Sequence, residues 1–497
     1  MSSKVYIAVD MGASSGRHVA GLFDGSRLEL AEIHRFENGP AHAAGRMYWD
    51  LLGQWAHLRD GLRRAAATYG DRVASVGVDT WGVDFVLLGR GDELLGNPYH
   101  YRDARTNGVL DRAFAVVPRD EIFAATGLQF MQFNTLFQLF AMREQNSPLL
   151  DVAESLLMMP DAFHWLLTGV RANELTDATT TQCYDPQRGG WATQLIEQFG
   201  IPTKIFGEVV PPGTKLGPLA AAVAEDTQLA GVDVVLPGTH DTASAVMAVP
   251  AASKPGARPD WCYISSGTWS LMGVETPTPV VTDLCRELNF TNEGGVGGTT
   301  RLLKNIAGLW IVQECRRIWN QGGRKLGWHD LTLLAAQAPP LRSIINPDDA
   351  GFLAPADMAE AIRAFCRHTG QAVPASEGAV IRCSLEGLAL KYRQVLGWLE
   401  QLVGGRIDTI HIVGGGTQNH QLCQMTADAC GRRVVAGPVE ATAIGNLMMQ
   451  SVAAGDVASI AEARDVIRRS FSVETYEPTN SAAWDAVYER FLALQQR

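Results

Sequence analysis

The chain carries one short pattern twice: a β-rich run that ends in a glycine-containing turn and continues into a second strand. The first copy spans residues 5–23 and turns at 12–16, and the second spans residues 261–274 and turns at 265–268. Short apolar runs separated by such turns are typical of paired strands. Two widely separated copies of one pattern predict two related domains.

Around these strand pairs the apolar period changes to that of helices. Residues 49–69 carry apolar side chains at three- and four-residue steps, and residues 73–78 return to a strand. In the second half, a strand over residues 407–413 precedes a helical stretch over residues 418–430. Strands and helices that alternate in this way predict an α/β fold.

The length of the chain and one stretch of unusual composition predict where the two domains meet. At 497 residues the chain is too long for one ordinary hydrophobic core. Residues 250–259 are mostly small and contain proline and glycine, which is the composition of a linker. We therefore predict an N-terminal domain over residues 1–249 and a C-terminal domain over residues 260–497.

Charge and cysteine content argue against several classes of protein. Hydrophobic residues make up 46% and charged residues 19% of the chain, which is typical of globular rather than disordered proteins. A formal net charge of −11 argues against a nucleic-acid groove, which needs a basic stripe. No signal peptide or membrane span is visible, and the eight cysteines lack zinc spacing, so we expect free thiols and a cytoplasmic protein.

The first glycine turn, residues 10–17, directly follows a strand and has two interpretations. Its glycines and small hydroxyl residues would let backbone N–H groups approach a phosphate, and Asp10 could hold Mg²⁺ through water. Alternatively, it is only a tight turn between two strands, since Ser and Asp are common turn residues. It is not a P-loop, because the Gly-Lys-Ser/Thr ending is missing and a strand follows.

A second motif, residues 237–244, follows the strand-like residues 232–236. Asp241 within it could act as a general base that takes the proton of an attacking hydroxyl. Asp241 or Thr242 could also be the N-cap of the helical residues that follow, and a helix N-terminus would stabilise phosphate charge as well. His240 alone is more typical of a polar structural residue than of a catalyst.

Two further glycine turns lie in the second half of the chain. Residues 264–270 could form a second phosphate clamp or a plain hairpin turn. Residues 412–419 link a strand to a helix through Gly414, Gly415 and Gly416. This last turn partly matches a dinucleotide-binding fingerprint, but the third glycine is missing and the turn lies late in the chain.

Taken together, the four motifs resemble those of the FGGY family of carbohydrate kinases, and the similarity extends over nearly the whole chain. Residues 10–17 resemble the family's first phosphate loop, residues 265–268 its second, and residues 414–416 the glycines on its adenosine side. The resemblance implies two ribonuclease H-like domains, as in actin-like ATPases, with the active site in the cleft between them. It also implies ATP and Mg²⁺ as the nucleotide and the metal ion.

Within the family, the resemblance is strongest to the kinases that convert L-rhamnulose to L-rhamnulose 1-phosphate in L-rhamnose catabolism. The stretches that carry this similarity are residues 78–85, 101–108, 173–181, 240–246, 266–273, 291–295, 303–305 and 437–441. Kinases for L-fuculose or L-ribulose share every motif and stay as alternatives.

The resemblance also implies roles for individual residues. Asp241 would be the catalytic base, and Asp10 would hold Mg²⁺ through water. Trp81 and Phe85 could meet the methyl end of the sugar or could be plain core. The residues implied to contact ATP are Ala13, Ser14, Ser15, Gly16, Arg17, Thr268, Gln313 and Gly415. Those implied to contact the sugar are Gly82, His240, Asp241, Thr242 and Asn305.

Two other classes of function explain the sequence less well. A nicotinamide-dependent oxidoreductase would rest on residues 414–416 alone and would leave the other motifs unexplained. A non-catalytic sugar sensor would be expected to lose Asp241 or to gain a DNA-binding segment, and the sequence shows neither. The expected partners are a small-molecule sugar and ATP, with no nucleic acid and no membrane, and the expected assembly is a monomer or small homo-oligomer.

Overall fold

The computed structural model describes residues 4–252, 258–353 and 355–495, which form two compact units. The first unit consists of the described residues of Met1–Gly256, Glu275–Leu302 and Ala441–Phe471. The second unit consists of the described residues of Ala257–Val274, Leu303–Glu440 and Ser472–Arg497. Each unit is therefore discontinuous in sequence. Of the predicted linker, residues 253–257 lie outside the described residues.

The strands of the described chain are short and spread over its whole length. In chain order they are β1 (Lys4–Met11), β2 (Ser15–Phe23), β3 (Leu28–Glu37), β4 (Pro40–Ala43), β5 (Arg46–Trp49), β6 (Val73–Thr80), β7 (Phe85–Leu88), β8 (Ser155–Met158), β9 (Asn173–Glu174), β10 (Tyr184–Asp185), β11 (Gly190–Trp191), β12 (Val209–Val210), β13 (Lys215–Pro218), β14 (Asp233–Val235), β15 (Trp261–Ser266), β16 (Trp269–Thr276), β17 (Thr291–Gly294), β18 (Thr300–Ala307), β19 (Thr409–Val413), β20 (Arg433–Ala436) and β21 (Glu474–Tyr476).

Helices separate most of these strands. In chain order they are α1 (Leu51–Tyr69), α2 (Val109–Val116), α3 (Arg119–Thr126), α4 (Thr135–Glu144), α5 (Leu149–Val152), α6 (Met159–Thr168), α7 (Leu175–Ala178), α8 (Thr193–Gln198), α9 (Ala221–Thr227), α10 (Asp241–Met247), α11 (Asp283–Glu287), α12 (Trp310–Gln321), α13 (Trp328–Gln337), α14 (Met358–His368), α15 (Glu377–Val403), α16 (His420–Cys430), α17 (Ala441–Ala453), α18 (Ile460–Ser470) and α19 (Ser481–Leu494).

The main sheets of the chain have the same topology. In the first unit the strand order is β3-β2-β1-β6-β14-β13, with β1–β2 antiparallel and β1–β6–β14 parallel. The other large sheet contains the order β18-β16-β15-β19-β20-β21, with β15–β16 antiparallel and β15–β19–β20 parallel. The edge strands β13 and β21 both run antiparallel to their neighbours. The predicted pair of related α/β folds is confirmed.

Local boundaries follow the sequence closely, but α1, α16 and β19 each begin two residues later than predicted, and one hairpin was not predicted. The helix predicted over residues 49–69 begins at Leu51, because Asp50 caps it by accepting the N–H of Gly53 at 3.1 Å. The hairpin β4–β5 was not predicted. All of β4 is exposed, so no alternation of apolar and polar residues marks it as a strand.

Helix α17 packs tightly inside the first unit, although it comes late in the sequence. It contacts β1, β6 and α10. A Cβ on Gly445 would lie 1.8 Å from the carbonyl oxygen of Ser244, so only glycine permits this approach of α17 to α10. Gln450 donates to the carbonyl of Ile7 on β1 at 2.9 Å. Helix α10, which begins at Asp241, is therefore held against the central sheet.

The other end of α10 is capped by α18. Arg464 donates to the carbonyls of Val246 and Met247 at 3.2 and 3.3 Å, and it pairs with Glu275 at 2.7 Å. A cation at a helix C-terminus neutralises the partial negative charge of the last carbonyls. The middle and the C-terminal end of α10 are thus restrained by residues that lie far away in the sequence.

Two sequence expectations concern the whole chain. All eight cysteines are free and buried, as predicted. In the part of the chain that the structure describes, none of the helices has the length and hydropathy needed to cross a membrane.

Candidate active site

Three aspartates lie near the carboxyl ends of parallel strands in the first unit. Asp10 and Asp79 are register partners on β1 and β6. Thr80, the last residue of β6, forms a parallel bridge with His240, and Asp241 then begins α10. In α/β folds, ligands usually bind outside the carboxyl ends of the parallel strands. This edge is therefore the candidate active site of the first unit.

Asp10 and Arg17 face each other across the β1–β2 hairpin and form an ion pair. The Nε and Nη2 atoms of Arg17 donate to Oδ2 of Asp10 at 3.0 and 2.7 Å. The residue predicted to contact ATP and the residue predicted to hold Mg²⁺ therefore neutralise each other. A bound phosphate or metal ion would compete with this pair or share it.

The turn between β1 and β2 contains the other predicted ATP contacts of the first unit. Ser14 is exposed, and Ala13 and Ser15 are half-buried. Gly16 is buried, and a Cβ there would lie 2.1 Å from Cζ of Phe36. Glycine at position 16 is therefore explained by packing against an aromatic ring. The more accessible residues of the turn are the ones whose backbone a phosphate could approach.

Asp241 is the first residue of α10, and the N-cap position is taken by His240 without a capping bond from its side chain. The interpretation of Asp241 or Thr242 as the N-cap is therefore wrong. The carboxylate of Asp241 accepts a hydrogen bond from Thr242 Oγ1 at 3.2 Å, and 33% of the side chain is exposed. Burial raises the pKa of Asp241, and the charge of Asp10 adds to this shift. An accessible carboxylate with a raised pKa is suited to accept a proton.

His240 is buried, and both of its ring nitrogens face charged side chains. Its Nδ1 lies 3.1 Å from Nη2 of Arg301 and 3.3 Å from Oε2 of Glu293, and its Nε2 lies 3.5 Å from Oδ1 of Asp241. Arg301 is fully buried, pairs with Glu293 at 3.1 Å and donates to the carbonyl of Gly294 at 2.8 Å. Burial would raise the pKa of Glu293, but its polar neighbours, with the charge of Arg301 the strongest among them, outweigh burial and the pKa is lowered.

The backbone that presents His240 is fixed by the Thr-rich stretch at residues 173–181. Oε2 of the buried Glu174 accepts the N–H and the hydroxyl of Thr239 at 3.0 and 2.6 Å. The N–H of His240 donates to Oγ1 of Thr176 at 3.1 Å. These bonds satisfy the buried polar groups of the loop and hold it in one conformation.

Asp79 is a buried carboxyl group whose charged form is stabilised only in part by the surrounding protein. It is fully buried, and its Oδ2 accepts a hydrogen bond from Asn446 at 2.6 Å. Its Oδ1 has no hydrogen-bond partner among the described residues. Burial raises the pKa of Asp79 well above its usual value, and the charges of Asp10 and Asp241 raise it further. A cation bound nearby would relieve this repulsion.

The donor set at this edge suits a hydrated magnesium ion. Among the described residues, no three His, Cys, Asp or Glu side chains are grouped so that they could hold a metal ion. Mg²⁺ often binds one or two carboxylates and keeps several waters beside substrate phosphates. Asp10, with the unpartnered oxygen of Asp79 close to it in the sheet register, fits that mode of binding.

Gly82 lies just beyond β6 and is required for packing. A Cβ there would lie 2.9 Å from Cγ2 and Oγ1 of Thr180, and the φ angle of Gly82 is not left-handed. The N–H of Val83 donates to the same Thr180 hydroxyl at 3.0 Å. Trp81 and Phe85, which flank this segment, are both buried, so their interpretation as core residues is confirmed.

In the second unit, two predicted ATP contacts touch each other. Oγ1 of Thr268 donates to Oε1 of Gln313 at 3.2 Å. The β15–β16 turn is held by the start of α12, because the N–H groups of Leu309 and Trp310 donate to the carbonyls of Gly267 and Thr268 at 3.1 and 3.0 Å. The predicted second phosphate turn and the residue predicted to assist it are thus one hydrogen-bonded group.

The glycine turn after β19 lies against the end of β15 in the same unit. Gly414 has a left-handed φ of 85°, and a Cβ on Gly416 would lie 2.0 Å from Oγ of Ser266. Gly415, the predicted ATP contact, has no atom within 4 Å of where its Cβ would be. Space beside Gly415 therefore lets a ligand approach the backbone. Asn305, predicted to contact the sugar, is half-buried on β18 in the second unit.

Comparisons with known proteins agree with this arrangement. Residues 5–248 match the model of the N-terminal domain of the FGGY family of carbohydrate kinases, and residues 262–454 match the model of its C-terminal domain. The chain therefore belongs to the FGGY family of carbohydrate kinases. Membership in this kinase family implies that it uses ATP.

Individual relatives cover the chain almost completely. It is 46% identical over 486 residues to a rhamnulokinase of Bacteroides thetaiotaomicron, covering 98% of each chain. It is 39% identical over 474 residues to a rhamnulokinase of Bacillus subtilis, covering 95% of each.

Solved structures with low sequence identity share the fold. A ligand-bound xylulose kinase from Lactobacillus acidophilus aligns with a TM-score of 0.83 at 13% identity, over 99% of this chain and 98% of that one. A glycerol kinase from Plasmodium falciparum with ADP aligns with a TM-score of 0.77 at 14% identity, over 99% and 97% of the two chains.

Several side chains that shape the site were not singled out from the sequence. Arg301 and Glu293 contact His240, and Glu174 holds the loop before it. The one available signal was a charged residue beside apolar neighbours in the strand-like residues 300–307, which suggests a buried arginine with a partner. That signal does not identify the partner.

Proposed function

We propose that this chain catalyses transfer of the γ-phosphoryl group of ATP to L-rhamnulose, giving ADP and L-rhamnulose 1-phosphate. The observation that carries the proposal is near-complete coverage by relatives named rhamnulokinase at 39–46% identity. The accessible carboxylate of Asp241 at the start of α10 supports it, because this reaction needs one base beside the sugar.

In the proposed reaction, Asp241 accepts the proton of the sugar's 1-hydroxyl as that oxygen attacks the γ-phosphorus. A new P–O bond forms to the sugar, the bond to the β-phosphate oxygen breaks, and ADP leaves with those electrons. Such a transfer depends mainly on positioning and charge neutralisation. This role is supported by the restraint of α10 at Ser244 and at its C-terminal end, and by the hydrogen bond that fixes the backbone of His240 before it.

The sugar would contact Gly82, His240, Asp241 and Thr242, with Asn305 as an additional contact. His240 and Thr242 flank the base, which supports their assignment to the same ligand. Discrimination of the methyl end of a deoxy sugar by apolar contact is worth only about 1–3 kcal/mol. Activity with L-fuculose or L-ribulose therefore stays the main alternative.

ATP would contact the backbone and side chains of three turns and one helix. The residues proposed for this role are Ala13, Ser14, Ser15, Gly16, Arg17, Thr268, Gln313 and Gly415. Support comes from the hydrogen bond between Thr268 and Gln313 and from the open space at Gly415. Mg²⁺ would be held by Asp10 through water and would neutralise phosphate charge.

Three further features belong to the proposal. We propose that residues 1–249 and 260–497 are the two functional domains of the chain. We place the protein in the cytoplasm, as expected for a catabolic kinase, and we propose a monomer or small homo-oligomer. Nucleic acid and membranes are not expected partners, in keeping with the net charge of −11.

The test is a coupled assay of ADP release with L-rhamnulose, L-fuculose, L-ribulose and L-xylulose as acceptors. We expect the highest kcat/KM with L-rhamnulose. A higher kcat/KM with another ketose would make that ketose the proposed substrate and would leave the assignment as a sugar kinase unchanged. No sugar-dependent ADP release from folded protein would contradict the proposed function, and ATP hydrolysis without sugar serves as the background control.

A further inference from the structure

The tautomer of His240 is determined by the charged groups around it. Nη2 of Arg301 lies 3.1 Å from Nδ1 of His240, and a guanidinium nitrogen can only donate a hydrogen bond. Nδ1 must then offer its lone pair, which leaves the ring proton on Nε2. Nε2 faces Oδ1 of Asp241 at 3.5 Å, so the N–H points toward a carboxylate.

The competing arrangement puts a proton on Nδ1 and directs it to Glu293. Oε2 of Glu293 is 3.3 Å from Nδ1, which is farther than Arg301. That arrangement would set an N–H of His240 against the N–H groups of Arg301. It would also place either a cationic ring next to a guanidinium or the lone pair of Nε2 against Asp241. The Nε2–H tautomer avoids both repulsions.

We propose that Arg301 is a positioning residue that holds His240 as the neutral Nε2–H tautomer, so that His240 presents a permanent N–H donor beside Asp241. This inference rests on the proposed function for its catalytic meaning. Arg301 can hold the ring because it is itself fixed: it is fully buried, pairs with Glu293 at 3.1 Å and donates to the carbonyl of Gly294 at 2.8 Å.

The consequence for the reaction is a division of roles between neighbouring residues. His240 cannot accept the sugar proton, because the lone pair of Nδ1 already accepts a hydrogen bond from Arg301. Its Nε2–H can hydrogen-bond to the carboxylate of Asp241 or to a sugar oxygen next to it. Asp241 is then the only proton acceptor of the pair, and its carboxylate is oriented by a neutral donor that adds no charge to the site.

Nitrogen NMR of the histidine rings tests the tautomer without any substrate. The chain has 11 histidines, and His240→Asn identifies the signal of His240 by its loss. We expect an unprotonated Nδ1 and a protonated Nε2 in the full-length protein at about pH 7. A protonated Nδ1 in the wild-type protein would overturn the proposal.

Two variants separate Arg301 from Glu293 as the group that sets the tautomer. Glu293→Gln keeps the size of the side chain and leaves Arg301 in place, so His240 should keep its unprotonated Nδ1. In Arg301→Met, Glu293 is left as the only charged neighbour of Nδ1, and we expect Nδ1 to become protonated. Arg301→Lys retains a cationic donor and should restore the wild-type signature. An Nδ1 that changes in Glu293→Gln but not in Arg301→Met would reverse the assignment.

Loss of a buried arginine can destabilise the protein for reasons unrelated to His240, so a matched control is needed. Arg432 in the second unit, whose side chain is 16% exposed, has the same kinds of partner as Arg301: it pairs with Glu400 at 2.9 Å and donates to the carbonyl of Ile407 at 2.7 Å. Arg432→Met should lower the melting temperature without altering the His240 signals. If Arg301→Met does not fold, Glu293→Gln and Arg301→Lys still decide the question.

Kinetics connect the tautomer to catalysis. We expect Arg301→Met to lower kcat/KM for the sugar about 10-fold to 100-fold, the usual scale for loss of an orienting contact, with little change in the KM for ATP. Arg301→Lys should recover most of that loss. An unchanged kcat/KM in a variant whose Nδ1 is protonated would disprove the positioning role. Inactivity of the wild-type protein on every ketose would refute the proposed function and leave the NMR result intact.

Discussion

The two units of this kinase share one sheet topology, but different kinds of residue lie at the same edge of the sheet in each unit. In the first unit, titratable side chains lie at this edge, namely those of Asp10, Asp79, Asp241 and His240. In the second unit the corresponding turns, at residues 265–268 and 414–416, contribute mainly backbone and hydroxyl groups. We therefore propose that the shared fold supports proton chemistry in the first unit and backbone recognition of a ligand in the second.

The difference has a physical cost that the structure makes visible. Buried charges in the first unit need partners. Arg17 for Asp10 and Arg301 for Glu293 come from the next strand in the chain, whereas Asn446 for Asp79 comes from a helix far away in the sequence. The second unit needs only the absence of side chains, as at Gly415 and Gly416. Mutations should therefore affect chemistry in the first unit and backbone packing in the second.

The largest expected effect is the loss of the base. Asp241→Asn should lower kcat about 100-fold or more, because Asn cannot accept the sugar proton. The melting temperature should change little, since 33% of the side chain is exposed and its hydrogen bond is to the neighbouring Thr242. Steady-state kinetics and a thermal melt on the same preparation provide the measurement.

A buried aspartate of the same unit provides the contrast to Asp241. Asp84 is fully buried and accepts hydrogen bonds from Trp49 and Trp81 at 2.6 and 3.0 Å. Asp84→Asn should lower the free energy of unfolding by about 1–3 kcal/mol, because a well-matched acceptor is lost. Near-wild-type turnover in Asp241→Asn would contradict the proposal that Asp241 is the catalytic base of the first unit.

The second effect concerns the glycine turn of the second unit. Gly416→Ala would put a Cβ 2.0 Å from Ser266 Oγ and should destabilise the protein by about 1–3 kcal/mol. Gly415→Ala meets no atom within 4 Å, so it should leave the melting temperature unchanged and raise the KM for ATP. If Gly415→Ala leaves that KM unchanged, backbone recognition at this turn is wrong.

A smaller effect is expected at Gly82 in the first unit. In Gly82→Ala the new Cβ would lie 2.9 Å from Thr180, and the strain should cost about 1 kcal/mol and shift the segment next to the base. We expect the KM for the sugar to rise more than the KM for ATP. Gly190→Ala, where nothing lies within 4 Å, is the matched control. Equal increases in both KM values would count against a sugar contact at Gly82.

The effect that is smallest near neutral pH is a pH dependence of stability that arises in the first unit. His164 is buried, and its Nε2 accepts the N–H of Val78 at 3.0 Å. Burial lowers the pKa of His164 to about 3, whereas the unfolded chain takes up the proton near a pKa of about 6.5. Its contribution to stability is therefore complete above about pH 6.5 and falls by roughly 1.4 kcal/mol per pH unit as the pH is lowered toward 3.

His164→Gln should remove this part of the pH dependence. Denaturant unfolding at several pH values between about 4 and 7 should show a shallower loss of stability in the variant than in the wild-type protein. His329→Gln, at an exposed position of α13 in the second unit, controls for the substitution itself. If the free energy of unfolding varies with pH in the same way in the wild-type protein and in His164→Gln, protonation of His164 does not contribute to the pH dependence.

Much of the fold followed from the sequence, because strand and helix periods are local properties. The apolar steps between residues 49 and 69 and the run over residues 5–9 need no distant partner to be recognised. The short, exposed strand β4 lacked such a period and was missed. The similarity of the two halves was visible as a repeated turn, and the sheet topology confirms it.

The site could be predicted only where its functional residues form contiguous motifs in the sequence. The sequence alone determined the family, the glycine turns and Asp241 as the candidate base, since each depends on neighbours in the chain. Tertiary structure decided that His240, rather than Asp241, takes the N-cap position, and that Arg301 and Glu293 contact the ring of His240. Burial and long-range pairing set proton positions, and those depend on residues that only folding brings together.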